Sequence, residues 1–600
     1  MLFSEFANDL SNLEQEPSRL KMMCQIENIF KKTDSNEIDT IIYLLLGQFG
    51  AKYKSLDLGI AEKTILVALS KSTGKEKEQV EDEYKKLGDL GLTAEKVMGS
   101  KYQRNLFSKK KDLFEVYNLF EKMAVAEGKG AIDEKMNYLI NLINNSSPIE
   151  AKYIVRIAEK NMRIGLSNST IIDALSLYFL EAYKTGNKRE YHVFVDKYGA
   201  EADRYFRYDI KTRIESKYNI YPDLGSIAKK LFINGVKGLD EIDVTPFVPV
   251  LPALAERLPT IEKIVEKLGK CVVEPKYDGF RLQCHYDGEN VKLFTRNLED
   301  MSDIFPDVVK TIKENVKKYP IIFECEAIGY NKKEKKYYPF QVTIKRKRKY
   351  DISEVSKEIP LRMIVFDIMY LKKSLIDLSF VDRRKILKET MVENENLAFP
   401  KFIFSDDPKE IRAYFDLVTA DGNEGIMLKD PAANYTAGAR KFAWVKYKKS
   451  YNSKTIDSLD LVILGYFLGK GQRSKFGIGA LLVGCYNDDE EKYQTIAKVG
   501  SGLTDAGLEE FKDVLEKISK KTKPMDYDSE LEPDFWVSPK YVVEVLYDEI
   551  TKSPIHTCAK REIGGLALRF PRLIKFRPDK NPERADKAND VKNLFTLGKY

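Results

Sequence analysis

The stretch Val272-Val-Glu-Pro-Lys-Tyr-Asp-Gly-Phe-Arg281 reads as a strand that delivers Lys276, a turn at Asp278-Gly279, and a second strand beginning near Arg281. Glu274 stands two residues before the lysine, so in a strand both side chains point the same way. Beyond the turn, Phe280, Leu282, Cys284 and Tyr286 alternate with polar residues; Asp287-Gly288 turns the chain, and Val291, Leu293 and Thr295 alternate back as a hairpin. A lysine beside a turn is a nucleophile only when its amine is neutral. Burial and neighbouring positive charge both drive a lysine down from ~10.4. Arg281, Lys446 and Lys448 are candidate sources of that charge, and Asp278 is a candidate to orient the amine. A bare Lys-x-Asp-Gly is short enough to recur by chance on a surface hairpin, so its weight comes from the residues that accompany it.

Working outward, apolar strands are expected at 321–328, 363–370, 425–429 and 443–448, with helices near 303–318 and 382–390. They carry further charged and aromatic residues: Arg296, Glu326, Phe366, Glu424 five residues before Lys429, Arg440, and Trp444, Lys446 and Lys448 on one strand face. This is a mixed α/β domain, set at 236–449, and the Pro-rich 244–252 segment marks its start. Residues 1–235 have helical period. Ile38, Ile41, Ile42, Leu45 and Leu46 share one face, with Gly47 as a stop; Pro148 opens a helical stretch to Gly165, and Ser169 or Thr170 caps the next helix through Tyr183. Residues 450–600 hold short strands at 459–468, 480–486, 541–550 and 573–576, with helical pieces at 505–520 and after Pro582, which suits a small β-barrel. The fold class is therefore multidomain: all-α, then α/β, then β-barrel.

Composition narrows the setting. The chain has 600 residues, too many for one core. Lys+Arg 99 against Asp+Glu 92 leaves only +7, so any nucleic-acid surface must be local. No apolar run reaches membrane-span length, and the first residues lack a secretory pattern. The six cysteines lack a C-x-x-C, and the three histidines are scattered, which excludes zinc modules and disulfide scaffolds of ordinary spacing. The chain reads as soluble, intracellular and reduced. Abundant Lys and Glu lean towards a thermophile. Gly469-Lys-Gly471 has the wrong spacing for a Walker loop.

In order and spacing these segments resemble the six nucleotidyltransferase motifs of ATP-dependent DNA ligases, closest to the archaeal and eukaryotic replicative type. Phe340-Gln-Val with Arg346-Lys-Arg-Lys349, Leu568-Arg-Phe-Pro-Arg572, and Tyr153-Ile-Val-Arg-Ile157 through Met162-Arg-Ile-Gly-Leu166 are similar to that branch. The resemblance implies a helical DNA-binding domain, an adenylation domain and a C-terminal OB-fold. It makes Lys276 the carrier of AMP, with ATP and magnesium as cofactors and nicked duplex DNA as substrate, in replication, repair and recombination. Phe366 would stack on adenine, Glu274 would lie at its edge, and Glu326 and Arg296 at the sugar. Arg440 and Lys446 would meet the phosphates; Arg281 and Lys429 are further candidate cations for the phosphoryl oxygens, Lys448 is a further residue of the nucleotide site, and Glu326 and Glu424 are the candidate carboxylates for the metal. Arg572 and Lys580, on the other side of a hinge near 449–458, would orient pyrophosphate. Arg156 and Arg163 are expected at DNA phosphates. Gln103-Arg-Asn-Leu-Phe107 is similar to a sliding-clamp docking peptide, though an ordinary loop and helix start is the simpler account. A monomer in the cytoplasm, associated with the nucleoid in an archaeon, completes the expectation. The rivals are an RNA ligase, an mRNA capping enzyme, which would label with GTP, and a non-catalytic nucleic-acid scaffold.

Overall fold

The computed structural model describes every residue except 55, 57, 101–110, 129, 349–350, 449–457, 562–563 and 598–600. The segment 103–107, the end of the 346–349 basic run and nearly all of the expected hinge lie outside the described residues. Packing divides the chain into two compact units, 1–74 with 97–451, and 75–96 with 452–600.

The first unit begins with helices. α1 (Phe3–Gln15) buries Phe3, Phe6, Ala7, Leu10 and Leu13, an amphipathic stripe. α2 (Ile38–Leu45) carries the expected apolar face, and Gly47 follows it at φ +65°. α3 (Pro148–Ala158) starts from a Ser147/Glu150 capping box. It stops well short of Gly165, because Lys160 and Arg163 take φ +55° and break the helix. α4 (Asn168–Thr185) is capped by Ser167, whose hydroxyl accepts from Thr170 N; Ser169 and Thr170 sit inside its first turn.

Arg156 departs from the expectation. It is 1% exposed. Its guanidinium donates to Glu14 Oε1 at 3.0 Å and to the Met162 carbonyl at 3.3 Å, so it joins α3 to α1 and faces no DNA. Arg163 lies 3.5 Å from Glu159. Lys152 and the Tyr153 hydroxyl also reach Glu14. Burial alone would raise the Glu14 pKa, but Arg156 and Lys152 outweigh it and hold the carboxyl at about 2. A folded value below the unfolded one means stability that is present above about 4.5 and lost as pH falls towards 2, worth about 3 kcal/mol. Protection of α1 and α3 against hydrogen exchange, taken relative to the intrinsic rate at each pH, should therefore fall between pH 5 and pH 3 in the parent. In Glu14→Gln it should be lower at neutral pH and nearly flat across that window.

The rest of this unit is two sheets. Its strands are β1 (Glu256–Arg257), β2 (Cys271–Lys276), β3 (Phe280–Tyr286), β4 (Val291–Thr295), β5 (Ile321–Asn331), β6 (Leu361–Leu371), β7 (Leu397–Ala398), β8 (Ile403–Ser405), β9 (Gly425–Lys429) and β10 (Trp444–Lys448). Its helices include α5 (Ile261–Leu268), α6 (Pro306–Asn315), α7 (Phe380–Lys388) and α8 (Pro408–Ala420). One sheet runs β1-β10-β9-β2-β8, the other β4-β3-β5-β6-β7. Thus β2 and β3 belong to different sheets, and Tyr277-Asp-Gly279 is the crossing between them rather than a hairpin turn. Gly279 is needed for closeness: a Cβ there would sit 2.6 Å from the Ala327 carbonyl of β5. Each sheet packs its outer face on helices, and a third cluster, with Ile322, Met369, Tyr435 and Trp444, fills the space between sheets.

The Pro-rich 244–252 segment is fastened to β3. Val250 N donates to Gln283 Oε1 at 2.7 Å, Gln283 Nε2 donates to the Val250 carbonyl at 2.9 Å, and Phe247 N donates to His285 Nδ1 at 2.9 Å. Burial holds the His285 pKa down at about 3, so the ring is a neutral acceptor.

In the second unit, β11 (Ser458–Leu468) is the central strand, paired with β12 (Ile478–Asn487), β14 (Val542–Leu546) and Phe535–Val537; β13 (Lys492–Val499) pairs with β12, and β15 (Arg572–Arg577) with β14. The strand expected over 541–550 is two strands. The chain breaks at Tyr547-Asp548 and resumes at Glu549–Ser553 in a separate three-stranded sheet. The helix expected over 505–520 ends at Leu515.

Candidate active site

Strand pairing builds the site in rows. β9 runs antiparallel between β2 and β10, which sets Lys276, Gly425 and Lys448 abreast. The next residues on the same face are Glu274, Met427 and Lys446, and then Val272, Lys429 and Trp444. The alternate residues, Val273, Ile426, Leu428, Val445 and Tyr447, enter the core beneath. Gly425 allows the first row to close up, since a Cβ there would lie 2.2 Å from the Tyr447 carbonyl.

The two ends of this face differ in chemistry. At one end Glu424 accepts from Lys276 and also pairs with Lys448, one carboxylate between two ammoniums. Burial pushes the Glu424 pKa up, but both lysines outweigh it and the net shift is downward. Lys446 is pushed down by burial and then by Lys448, Lys276 and Arg296 around it. Glu326 faces Lys276 across the crossing and accepts from Gly279 N at 3.2 Å. Burial raises its pKa to about 7 against the pull of Lys276 and Arg281, with Asp278 adding to the rise.

The other end is aromatic. Phe366 and Trp444 meet edge to face with centroids 5.9 Å apart. The Lys429 ammonium sits among Phe366, Phe380 and Trp444, 4.7–5.0 Å from each ring centre, and lies 2.7 Å from Glu274 Oε2. A cleft of about 430 Å³ spans both ends; Lys276, Lys446, Arg296, Arg440 and Glu326 line it, together with Phe366, Met427 and Glu274. It has room for a nucleotide, apolar where a base would lie and cationic where phosphates would.

Family models match three stretches of the chain: one described as DNA ligase N terminus over 2–176, one as ATP dependent DNA ligase domain over 252–448, and one as ATP dependent DNA ligase C terminal region over 474–580. A "Probable DNA ligase" of Dictyoglomus turgidum is 41% identical over 99% of this chain and 97% of its own. The chain belongs to the ATP-dependent DNA ligases. "DNA ligase 2" of Korarchaeum cryptofilum is 37% identical over 99% of this chain and 97% of its own, and the "DNA ligase" of Sulfolobus acidocaldarius 36% identical over 99% and 98%. The solved structure named Pmar-Lig_PreS3, 16% identical and covering 95% of this ligase and 99% of that chain, has a similar fold at a TM-score of 0.53.

The expected site residues fall into three groups in the ligase. Lys276, Glu274, Arg296, Glu326, Phe366, Arg440 and Lys446 line one cleft, with Lys448 and Glu424 at the Lys276 end. Lys429 and Arg281 also line it, but not as free phosphate cations: Lys429 is buried at the aromatic end against Glu274, and Arg281 is bidentate to Glu324 at 2.8–3.0 Å. A buried cation needs an anion, and each has found one. Arg572 and Lys580 belong to the other unit, where Lys580 Nζ donates to Asp460 at 2.5 Å. Of the basic run, Arg346 is buried on Asp307, and among its described residues only Lys347 reaches the cleft. The sequence reading passed over Arg384, Glu324 and Tyr435, whose hydroxyl donates to Glu324 at 3.0 Å.

Among the described residues no helix is long and apolar enough to cross a membrane.

Proposed function

We propose that this enzyme seals nicks in duplex DNA by carrying AMP on Lys276. The observation that carries the reading is Lys276 held by Glu424 in a row with Lys448, at the cationic end of a cleft whose other end is aromatic. The neutral amine attacks the α-phosphorus of ATP. A P–N bond forms, the bond to pyrophosphate breaks, and Glu424, already accepting from the amine, is placed to take a proton. AMP then passes to a 5′-phosphate at the nick and frees the lysine. The neighbouring 3′-hydroxyl attacks that phosphate, and AMP leaves. Charge builds on phosphoryl oxygens at each step, so Lys446, Lys448, Arg440 and Arg296 stabilise the transition states. In this reading Phe366 stacks on adenine and Arg572 and Lys580 act on pyrophosphate, for which Asp460 must release Lys580.

Magnesium fits the donor set. Glu326 and Glu424 offer hard oxygens, and Glu326 has acceptor capacity beyond Gly279 N. Among the described residues no group of three His, Cys, Asp or Glu gathers to hold a metal, so the ion would need nucleotide oxygens and waters to complete its shell. When bound it would supply charge neutralisation at the phosphates. The same reading places the helical region, residues 1–235, on the DNA backbone and minor groove, the adenylation region at 236–449 and an OB-fold at 450–600. It takes the enzyme as a cytoplasmic monomer, nucleoid-associated in an archaeon, with a sliding clamp as partner and roles in replication, repair and recombination.

The test uses α-labelled ATP with magnesium. The protein should become labelled, and nicked duplex should discharge the label with sealing. Lys446→Ala should slow labelling about 10²–10³-fold in single turnover, the cost of one preorganised cation at a developing phosphoryl charge. An unlabelled protein would refute the reading.

A further inference from the structure

Glu274 is 2% exposed and holds two cations. Lys429 takes Oε2 from within the cleft. Nη1 of Arg384 donates to Oε1 from α7, a helix packed on the other sheet. Arg384 is itself fixed: Nη2 donates to the Pro400 carbonyl at 2.9 Å, and the guanidinium lies 4.3 Å from the centre of the Phe402 ring. A planar fork anchored at these points allows Glu274 one orientation, where a single flexible lysine would allow several.

That orientation has a chemical consequence. A carboxylate with a cation at each oxygen still has lone pairs to offer. Glu274 therefore presents an acceptor beside a Lys429 donor, at the aromatic end of the cleft. The pairing edge of adenine offers an amino donor beside a ring-nitrogen acceptor. Guanine reverses this order, with a keto acceptor beside an N–H donor. An acceptor–donor pair locked in one order matches one purine and leaves buried groups unpaired with the other. A pair free to rearrange accepts both.

We propose that Arg384 is a positioning residue for nucleobase choice: by locking Glu274 against Lys429 it makes the cleft adenine-selective. This rests on the reading that the aromatic end takes the base. The test measures covalent nucleotidylation of the full-length protein with ATP, GTP and purine riboside triphosphate, which lacks the amino group. For Arg384→Met, KM for ATP should rise about tenfold or more, with the maximal nucleotidylation rate within about threefold. Its preference for ATP over the other two should fall about tenfold or more, and Arg384→Lys should restore part of it. A folded Arg384→Met with the parent's preference would overturn the inference, because a purely structural role weakens all three nucleotides alike. If Arg384→Met does not fold, Arg384→Lys decides: a preference below the parent's supports the inference and an unchanged one overturns it. A parent that no triphosphate labels would instead sink the underlying reading of the site.

Discussion

Lys276→Ala should form no protein–AMP and should lose ATP-dependent sealing by about 10⁴-fold or more, down to background. No neighbour can take its place. Lys448 stands in the same row but is tied to Glu424, and Lys429 is buried against Glu274 among three rings. Lys446 is the least encumbered, yet it comes from a different strand, two away in the sheet, opposite Met427. A nucleophile must lie in line with the leaving group, and a displaced amine forfeits the proximity that makes the step fast. Supplying a nick already carrying 5′-AMP separates the two roles of the residue. The last step uses Lys276 only as one cation among several, so sealing of that substrate by Lys276→Ala should fall no more than about 100-fold. Gel-based single-turnover assays on both substrates measure the contrast.

Asp367→Ala should bring the largest loss of stability, about 3–5 kcal/mol in the adenylation region. Asp367 and Arg383 have fully buried side chains. Two bonds of 2.8 and 3.0 Å join them, and Arg383 Nη1 also donates to the Leu378 and Ala433 carbonyls. Removing the carboxylate strands a guanidinium in the interior, which costs more than the pair contributes. The double change Asp367→Ala with Arg383→Met should recover much of the loss, since it removes the orphaned charge as well. In Trp536→Phe, Trp444 remains as the one tryptophan, and its fluorescence in a urea titration follows unfolding of the part that contains this pair. Phe366 is the neighbour of Asp367 in β6, so ATP affinity should fall along with stability.

Much of the site was legible because a strand has a period of two. Glu274 and Lys276, and Trp444, Lys446 and Lys448, follow from that period alone and stand as expected. Pairing between strands did not follow. Lys276 meets Glu424 across 148 residues, and nothing in either segment states that β9 lies between β2 and β10. The same gap misplaced cations. Arg281, Lys429 and Arg156 each read as a charge for phosphate, and Arg346 as part of an open basic run. Each is instead neutralised by an acid distant in sequence: Glu324, Glu274, Asp307 and Glu14. A charged residue on an apolar face is ambiguous until its partner is known. Arg384 was missed for the same reason, since in Val381-Asp-Arg-Arg-Lys385 it looks like part of a solvated helix face. Tyr277-Asp-Gly279 looked like a hairpin because a turn leading back into the same sheet and one crossing to another sheet share the same residues.

The most direct measurement is peptide mass mapping of the intact protein after brief exposure to ATP and a divalent ion. One added AMP is expected, on the peptide that contains Lys276, held by an acid-labile P–N bond and gone once nicked duplex is supplied. An AMP on any other lysine, or none at any ATP concentration while sealing proceeds, would contradict it.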